Sequence, residues 1–195
     1  MDRLTQLALD AARGDRDALE RFVASTQADV WRLCRHLGDP ADADDLTQEV
    51  FERAIGSIHR FRADGSARSW LLGIARRTCV DHVRRAQRRR RRDGAARAAA
   101  EVDGTAWAET DPAKSGVEFV ELLEQLDPDR RAAFVMTQVL GLRYDEAADA
   151  LDCPIGTVRS RVARARRDLM DQLDLDDRGS PSERATGTDH GSPTT

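Results

Sequence analysis

Residues 153–167 read Cys153-Pro-Ile-Gly-Thr-Val-Arg-Ser-Arg-Val-Ala-Arg-Ala-Arg-Arg167. Ile155, Val158, Val162 and Ala165, followed by Leu169 and Leu173, have the spacing of a helix that buries one face. Threaded between them are five arginines in nine residues. They form either a solvated exterior or a surface that reads an anionic partner. Just upstream, Tyr144, Ala147, Ala148 and Leu151 predict a short helix, and Asp152-Cys153-Pro154 a tight turn. Two helices around a tight turn, small residues on the first and arginines on the second, have the shape of a helix-turn-helix. In that motif the second helix enters the major groove with its N-terminal half. An ordinary helical hairpin with a charged exterior is the alternative.

Working outward, Val120, Leu123 and Leu126 lead to Asp127-Pro128-Asp129, a cap with proline in the first helical turn. Ala133, Phe134, Thr137 and Leu140 continue that helix until Gly141 stops it. A helix-turn-helix domain is thus expected over 117–173, and the Ser, Thr, Gly, Pro and Asp of 174–195 predict a disordered tail. Before this domain, the run Arg88–Arg92 gives way to Gly, Ala, Asp and Glu with no sustained apolar period. A flexible linker is expected over 93–116, with the preceding helix ending inside the arginine run.

The N-terminal domain, 1–92, reads as four helices. Leu4, Leu7, Ala8 and Ala11 mark the first, broken by Gly14-Asp15. The second buries Leu19, Phe22, Val23, Val30, Leu33, Cys34 and Leu37 and ends at Gly38-Asp39-Pro40. The third, near 42–56, buries Leu46, Val50, Phe51, Ala54 and Ile55. Its opposite face carries Asp45, Gln48, Glu49 and Glu52 at i, i+3, i+4 and i+7, an acidic stripe. After a polar loop at 59–68, a helix over 69–85 turns Leu71, Ile74, Ala75 and Val83 inward. The expected fold is therefore all-α: two small helical domains joined by a flexible linker.

Composition agrees, since one Tyr and five Phe among 195 residues give little strand signal against abundant Ala, Leu and Arg. No apolar run of signal-peptide type follows Met1 and no stretch of membrane-spanning length occurs, so a cytoplasmic protein without membrane attachment is expected. Cys34, Cys79 and Cys153 stand too far apart for a metal-binding pair and read as free thiols; no metal or other cofactor is expected. The formal net charge of −4 hides a sharper pattern. Residues 61–92 hold eleven arginines against two aspartates, and 153–173 five against two, whereas 93–152 carry a net −9. Two basic surfaces on an acidic body suit an anionic polymer gripped at two places.

A stand-alone helix-turn-helix regulator would explain 117–173 but leaves the acidic stripe and the first basic block without a purpose. A phosphodiester-cleaving enzyme could hold divalent metal on Asp42, Asp44, Asp45 and Glu49, yet no His or Lys constellation supports one.

Three stretches together resemble one family. Cys153 to Arg166 is similar to the promoter-recognition helix of bacterial extracytoplasmic-function (ECF) sigma factors, Asp44-Asp-Leu-Thr-Gln-Glu-Val-Phe51 to their polymerase-binding helix, and Trp70 to Arg85 to the helix before their linker. Order and spacing match over roughly 5–92 and 117–173. The resemblance implies a dissociable polymerase subunit, with no catalytic residues and no small-molecule substrate. It implies that Asp44, Asp45, Gln48, Glu49 and Glu52 dock on the clamp of the largest subunit of core RNA polymerase. Arg62, Ser66, Arg68, Trp70, Arg76, Arg77 and Arg84 would meet a melted minus-ten strand of promoter DNA, with a flipped base captured by the loop from Phe61 to Arg68. Thr157, Arg159, Ser160, Ala163 and Arg164 would meet the duplex minus-thirty-five element. An anti-sigma protein is a further partner the resemblance admits. Two positions depart from the family pattern: Arg77 stands where Asn is frequent, and Arg143 where a capping Ser or Thr is frequent.

Overall fold

The computed structural model describes residues 1–97 and 114–179, and all regular structure among them is helical. The middle of the expected linker and the end of the expected tail lie outside the described residues. Helix α1 (Arg3–Ala12) starts on Asp2, which accepts from the Thr5 N–H at 2.9 Å, and ends where Gly14 takes φ +100°. Asp15 caps α2 (Arg16–Leu37) in the same way through Ala18 N–H. A short turn, Pro40–Asp42, leads into α3 (Ala43–Ser57), and a second, Ile58–Arg60, leaves it. Helix α4 (Ala67–Arg97) closes the first domain around Phe22, Val30, Leu33, Leu46, Val50, Leu71 and Leu72.

The second domain comprises α5 (Lys114–Glu124), α6 (Pro128–Phe134), α7 (Tyr144–Leu151) and α8 (Ile155–Gly179). Asp127 caps α6 with Pro128 in its first turn, as expected. The chain then widens into a π-helical turn over Val135–Val139, with the Leu140 N–H donating to the Val135 carbonyl at 2.9 Å, and Gly141 ends it at φ +69°. Leu123, Val135, Met136, Val158 and Val162 fill this core. The two domains do not stand apart: α7 lies on α4, and the buried apolar residues form one continuous cluster.

Several details differ from the periodicity. Helix α4 runs through the whole arginine run, because arginine is a strong helix former and nothing in the run breaks a helix. Helix α8 likewise continues past Leu173 to Gly179. Ile55, Ile155 and Leu173, expected inside, are 44%, 38% and 52% exposed. Leu173 stands one turn beyond Leu169, where α6, which begins beside Asp168, no longer flanks the helix. Arg143 is the N-cap of α7, and a guanidinium has no acceptor to offer; its own N–H instead donates to Glu146 Oε2 at 3.0 Å, half of a capping box.

All three cysteines are free; Cys34 and Cys79 are buried and Cys153 half-buried. Hydrogen bonding to Cys34, then burial, pushes the Cys79 thiol far up, and the same bond holds Cys34 down.

A long-range bond ties α1 to the start of α4. Buried Thr5 donates through Oγ1 to Asp2 Oδ2 at 2.6 Å and accepts from the Ala67 N–H at 3.1 Å. Burial works to raise the Asp2 carboxyl, but the bonds from Thr5 outweigh it and hold it below its ordinary value. That contribution is present above the ordinary carboxylate range and fades as pH falls through it. Thr5→Val is expected to cost about 1–3 kcal/mol, since it strands the Ala67 donor in the core. Urea denaturation checks this; an unchanged midpoint would refute the tie.

Candidate polymerase and nucleic-acid interfaces

Helix α3 buries Leu46, Val50 and Ala54, which turns Asp44, Asp45, Gln48 and Glu52 to solvent. Asp44 accepts from Trp31 Nε1 at 2.8 Å, and Gln48 donates to Glu52 at 3.1 Å. Asp45 is exposed and makes no ion pair among the described residues. Glu49 differs: half-buried, it pairs with Arg53 and with Arg85 of α4, at 3.3 Å in the latter case. Asp42 is held by His82 at 2.8 Å. With Asp42, Asp44 and Glu49 so engaged, no group of three or more metal-binding side chains forms among the described residues.

The loop before α4 exposes Arg62. Phe61 is buried with its ring centroid 5.2 Å from that of Trp70, and Trp70 is half-buried against the core, so the indole is chiefly packing. Ser66 caps α4: its hydroxyl accepts from the Ser69 N–H at 3.0 Å, and its carbonyl from Trp70. Arg77, Arg84 and Arg88 are exposed, and their i, i+7, i+11 spacing sets them in one basic stripe along α4. Arg84 also lines a cleft of about 820 Å³ between α4 and α6. The stripe's extension to Arg88 follows from the helix running on through the arginines.

Arg68 and Arg76 are not free. Arg68 reaches Asp29 at 2.7 Å and donates to the Leu140 carbonyl of the second domain, also at 2.7 Å. Arg76 reaches Asp129 at 2.9 Å. Sequence reasoning missed these partners, because nothing in local spacing pairs residues so far apart along the chain.

Helices α7 and α8 meet at the turn around Asp152, which adopts φ +51°. Ala147 is buried, and Val158, Val162, Ala165 and Leu169 seat α8. On the opposite face Arg159, Ser160, Ala163 and Arg164 are exposed; Thr157 is half-buried, its carbonyl accepting from the Ser160 hydroxyl at 2.9 Å. The five arginines therefore divide. Arg161 is drawn inward onto Asp129, and Arg166 donates to Gln138 Oε1 at 2.6 Å. Arg159, Arg164 and Arg167 remain open to solvent.

A helix-turn-helix with an open, arginine-bearing second helix and a separate basic helix have the form of a DNA-binding protein, and α3 adds an acidic face turned to solvent. The Sigma-70 region 2 family matches residues 22–89, and the Sigma-70 region 4 family residues 116–169. The ECF RNA polymerase sigma factor SigC of Mycobacterium tuberculosis is 47% identical over 176 residues, covering 90% of this chain and 94% of the relative. The ECF RNA polymerase sigma-E factor of Escherichia coli is 32% identical, covering 83% and 89%. Among solved structures, CnrH in complex with the cytosolic domain of CnrY superposes with a TM-score of 0.70 at 26% identity, covering 90% of this chain and 99% of that one. RpoE of Bartonella quintana, solved with the anti-sigma factor NepR, shares the fold at a TM-score of 0.62 and 24% identity, covering 80% and 97%. The chain belongs to the ECF RNA polymerase sigma factors. Its work is promoter-specific transcription initiation, and its partners are core RNA polymerase and promoter DNA. No helix among the described residues is long and apolar enough to cross a membrane.

Proposed function

We propose that this sigma factor reads two promoter elements by different physics. Helix α8 reads duplex minus-thirty-five DNA in the major groove. The loop from Phe61 to Arg68, with Arg62 and the Arg77 and Arg84 stripe, holds a melted minus-ten strand. The observation that carries this reading is the exposed N-terminal half of α8, where Arg159, Ser160, Ala163 and Arg164 form one outward face. Each base pair shows a distinct donor and acceptor pattern in the major groove, which such side chains can match. A single strand offers unstacked bases and phosphates instead; extruding a base costs a few kcal/mol, so a loop that captures it helps hold the melted state.

Docking on the clamp of the largest polymerase subunit falls to Asp45, Gln48 and Glu52, with Asp44 and Glu49 at the margins because each is already engaged. An anti-sigma protein is a further partner in this reading, as one accompanies RpoE in its structure, and the chain works in the cytoplasm. The test is transcription by core polymerase reconstituted with this chain on a promoter library. Enriched promoters should share two short motifs at near-constant separation. Enrichment of a single motif would reject the two-element reading.

A further inference from the structure

The arginines of α4 divide along its length. Arg68, Arg76 and Arg85 each meet a carboxylate, on Asp29, Asp129 and Glu49 respectively. Further on, Arg88, Arg89, Arg90 and Arg92 are exposed and make no ion pair or hydrogen bond among the described residues. At about 100° of turn per residue, Arg88, Arg92 and Arg89 fall within about 100° of arc and continue the line of Arg77 and Arg84, while Arg90 lies off it. Arg88 and Arg92 stand at i and i+4, as do Arg85 and Arg89, so the run repels itself within the helix. A polyanion laid along this arc relieves that repulsion. Position along the helix says which polyanion. The loop read as holding a flipped base lies at the start of α4, and the chain leaves the other end for the domain read as holding the minus-thirty-five element. Arg88 to Arg92 stand roughly 30–40 Å from Ala67 at about 1.5 Å per residue, a reach of roughly ten base pairs at about 3.4 Å each.

We infer that Arg88, Arg89 and Arg92 grip the phosphates of the duplex between the two promoter elements, next to the minus-ten element, as a third DNA contact that reads no sequence. The inference rests on the two-element reading above. A guanidinium forks onto two phosphate oxygens at once, and a contact of this kind fixes register and orientation without carrying base information. The grip therefore adds affinity on every promoter and preference on none. It also holds the duplex where it enters the melted segment, which neither the loop before α4 nor the recognition face of α8 does.

The test uses holoenzyme reconstituted with the full chain and a promoter that it selects. Its probe is the same promoter carrying methylphosphonates, which lack the phosphate charge, in the duplex adjoining the minus-ten element. Arg88→Gln/Arg92→Gln removes two charges and keeps good helix formers. Arg16→Gln/Arg21→Gln, at exposed positions of α2, makes the same charge change elsewhere and should bind like the parent. On unmodified DNA the α4 pair should lose about tenfold in affinity whatever the spacer sequence, and the slope of log affinity against log salt should shrink by about 1.8, at about 0.9 per phosphate. On methylphosphonate DNA the parent should fall to the level of Arg88→Gln/Arg92→Gln, and that variant should lose nothing more. Arg88→Lys/Arg92→Lys keeps the charges and should stay within about threefold of the parent, which sets charge apart from helix content. Full affinity in Arg88→Gln/Arg92→Gln would overturn the grip. So would a tenfold deficit that persists on methylphosphonate DNA, since the arginines would then serve the melted strand or the polymerase. Arg62→Ala, bound to a template already melted at the minus-ten element, tests the underlying reading with Arg88 and Arg92 in place. Unchanged binding there would strike the strand-holding loop; a loss there beside a failed methylphosphonate result would strike the grip alone.

Discussion

Asp45→Arg is expected to weaken binding to core RNA polymerase by about thirtyfold to a thousandfold while leaving the melting temperature nearly unchanged. The residue is exposed on α3 and makes no ion pair among the described residues, so its loss should move stability by less than about 0.5 kcal/mol. At a polymerase interface the same change does more than delete a contact. It would leave a cation on the partner unpaired and place a second cation against it, a penalty of about 2–4 kcal/mol. Glu49→Arg should behave differently. It breaks the pairs to Arg53 and Arg85, the second of which ties α3 to α4, so a lower melting temperature should accompany any binding loss. Polymerase binding by fluorescence anisotropy, with thermal melts of the same samples, separates the two. Normal affinity in Asp45→Arg would remove the acidic face of α3 from the interface.

That contrast marks what local sequence can and cannot convey. The register of α3 was legible because Leu46, Val50, Phe51 and Ala54 recur at helical spacing, and this alone turns Asp45, Gln48 and Glu52 outward. Glycine stops were legible too: Gly14 and Gly141 take positive φ where the chain must turn. The π-turn over Val135–Val139 was not, since one extra residue in a helical turn leaves no mark on composition. Nor could periodicity show that Ile55 and Ile155 are uncovered, because a helix displays an apolar face whether or not a neighbour reaches its end. The larger gap concerns charge. Arginines counted together in two basic blocks have separate partners, Asp29 and Asp129 for the first block and Gln138 for the second, each distant in the chain. A linear sequence reports that these charges exist and the fold decides which remain available to DNA.

Arg159→Ala should lower holoenzyme affinity for its matching promoter by about fivefold to a hundredfold and relax preference at one base pair, the signature of a lost bidentate contact worth about 1–3 kcal/mol. Arg159 is the test case because it is exposed in the first turns of α8, on the side away from buried Val158 and Val162. Arg167 is also exposed but lies two turns later, where a recognition helix leaves the base edges and runs beside the backbone, so Arg167→Ala should weaken all promoters about equally and shrink the salt dependence. Arg161→Ala should alter neither base preference nor salt slope in this way, since its guanidinium serves Asp129. Promoter selection with each reconstituted holoenzyme, repeated at two salt concentrations, distinguishes the three behaviours. If Arg159→Ala, Arg164→Ala and Arg167→Ala all gave the same uniform loss with no altered preference, α8 would be an electrostatic grip, and sequence discrimination would have to come from the minus-ten strand or from the shape of the duplex.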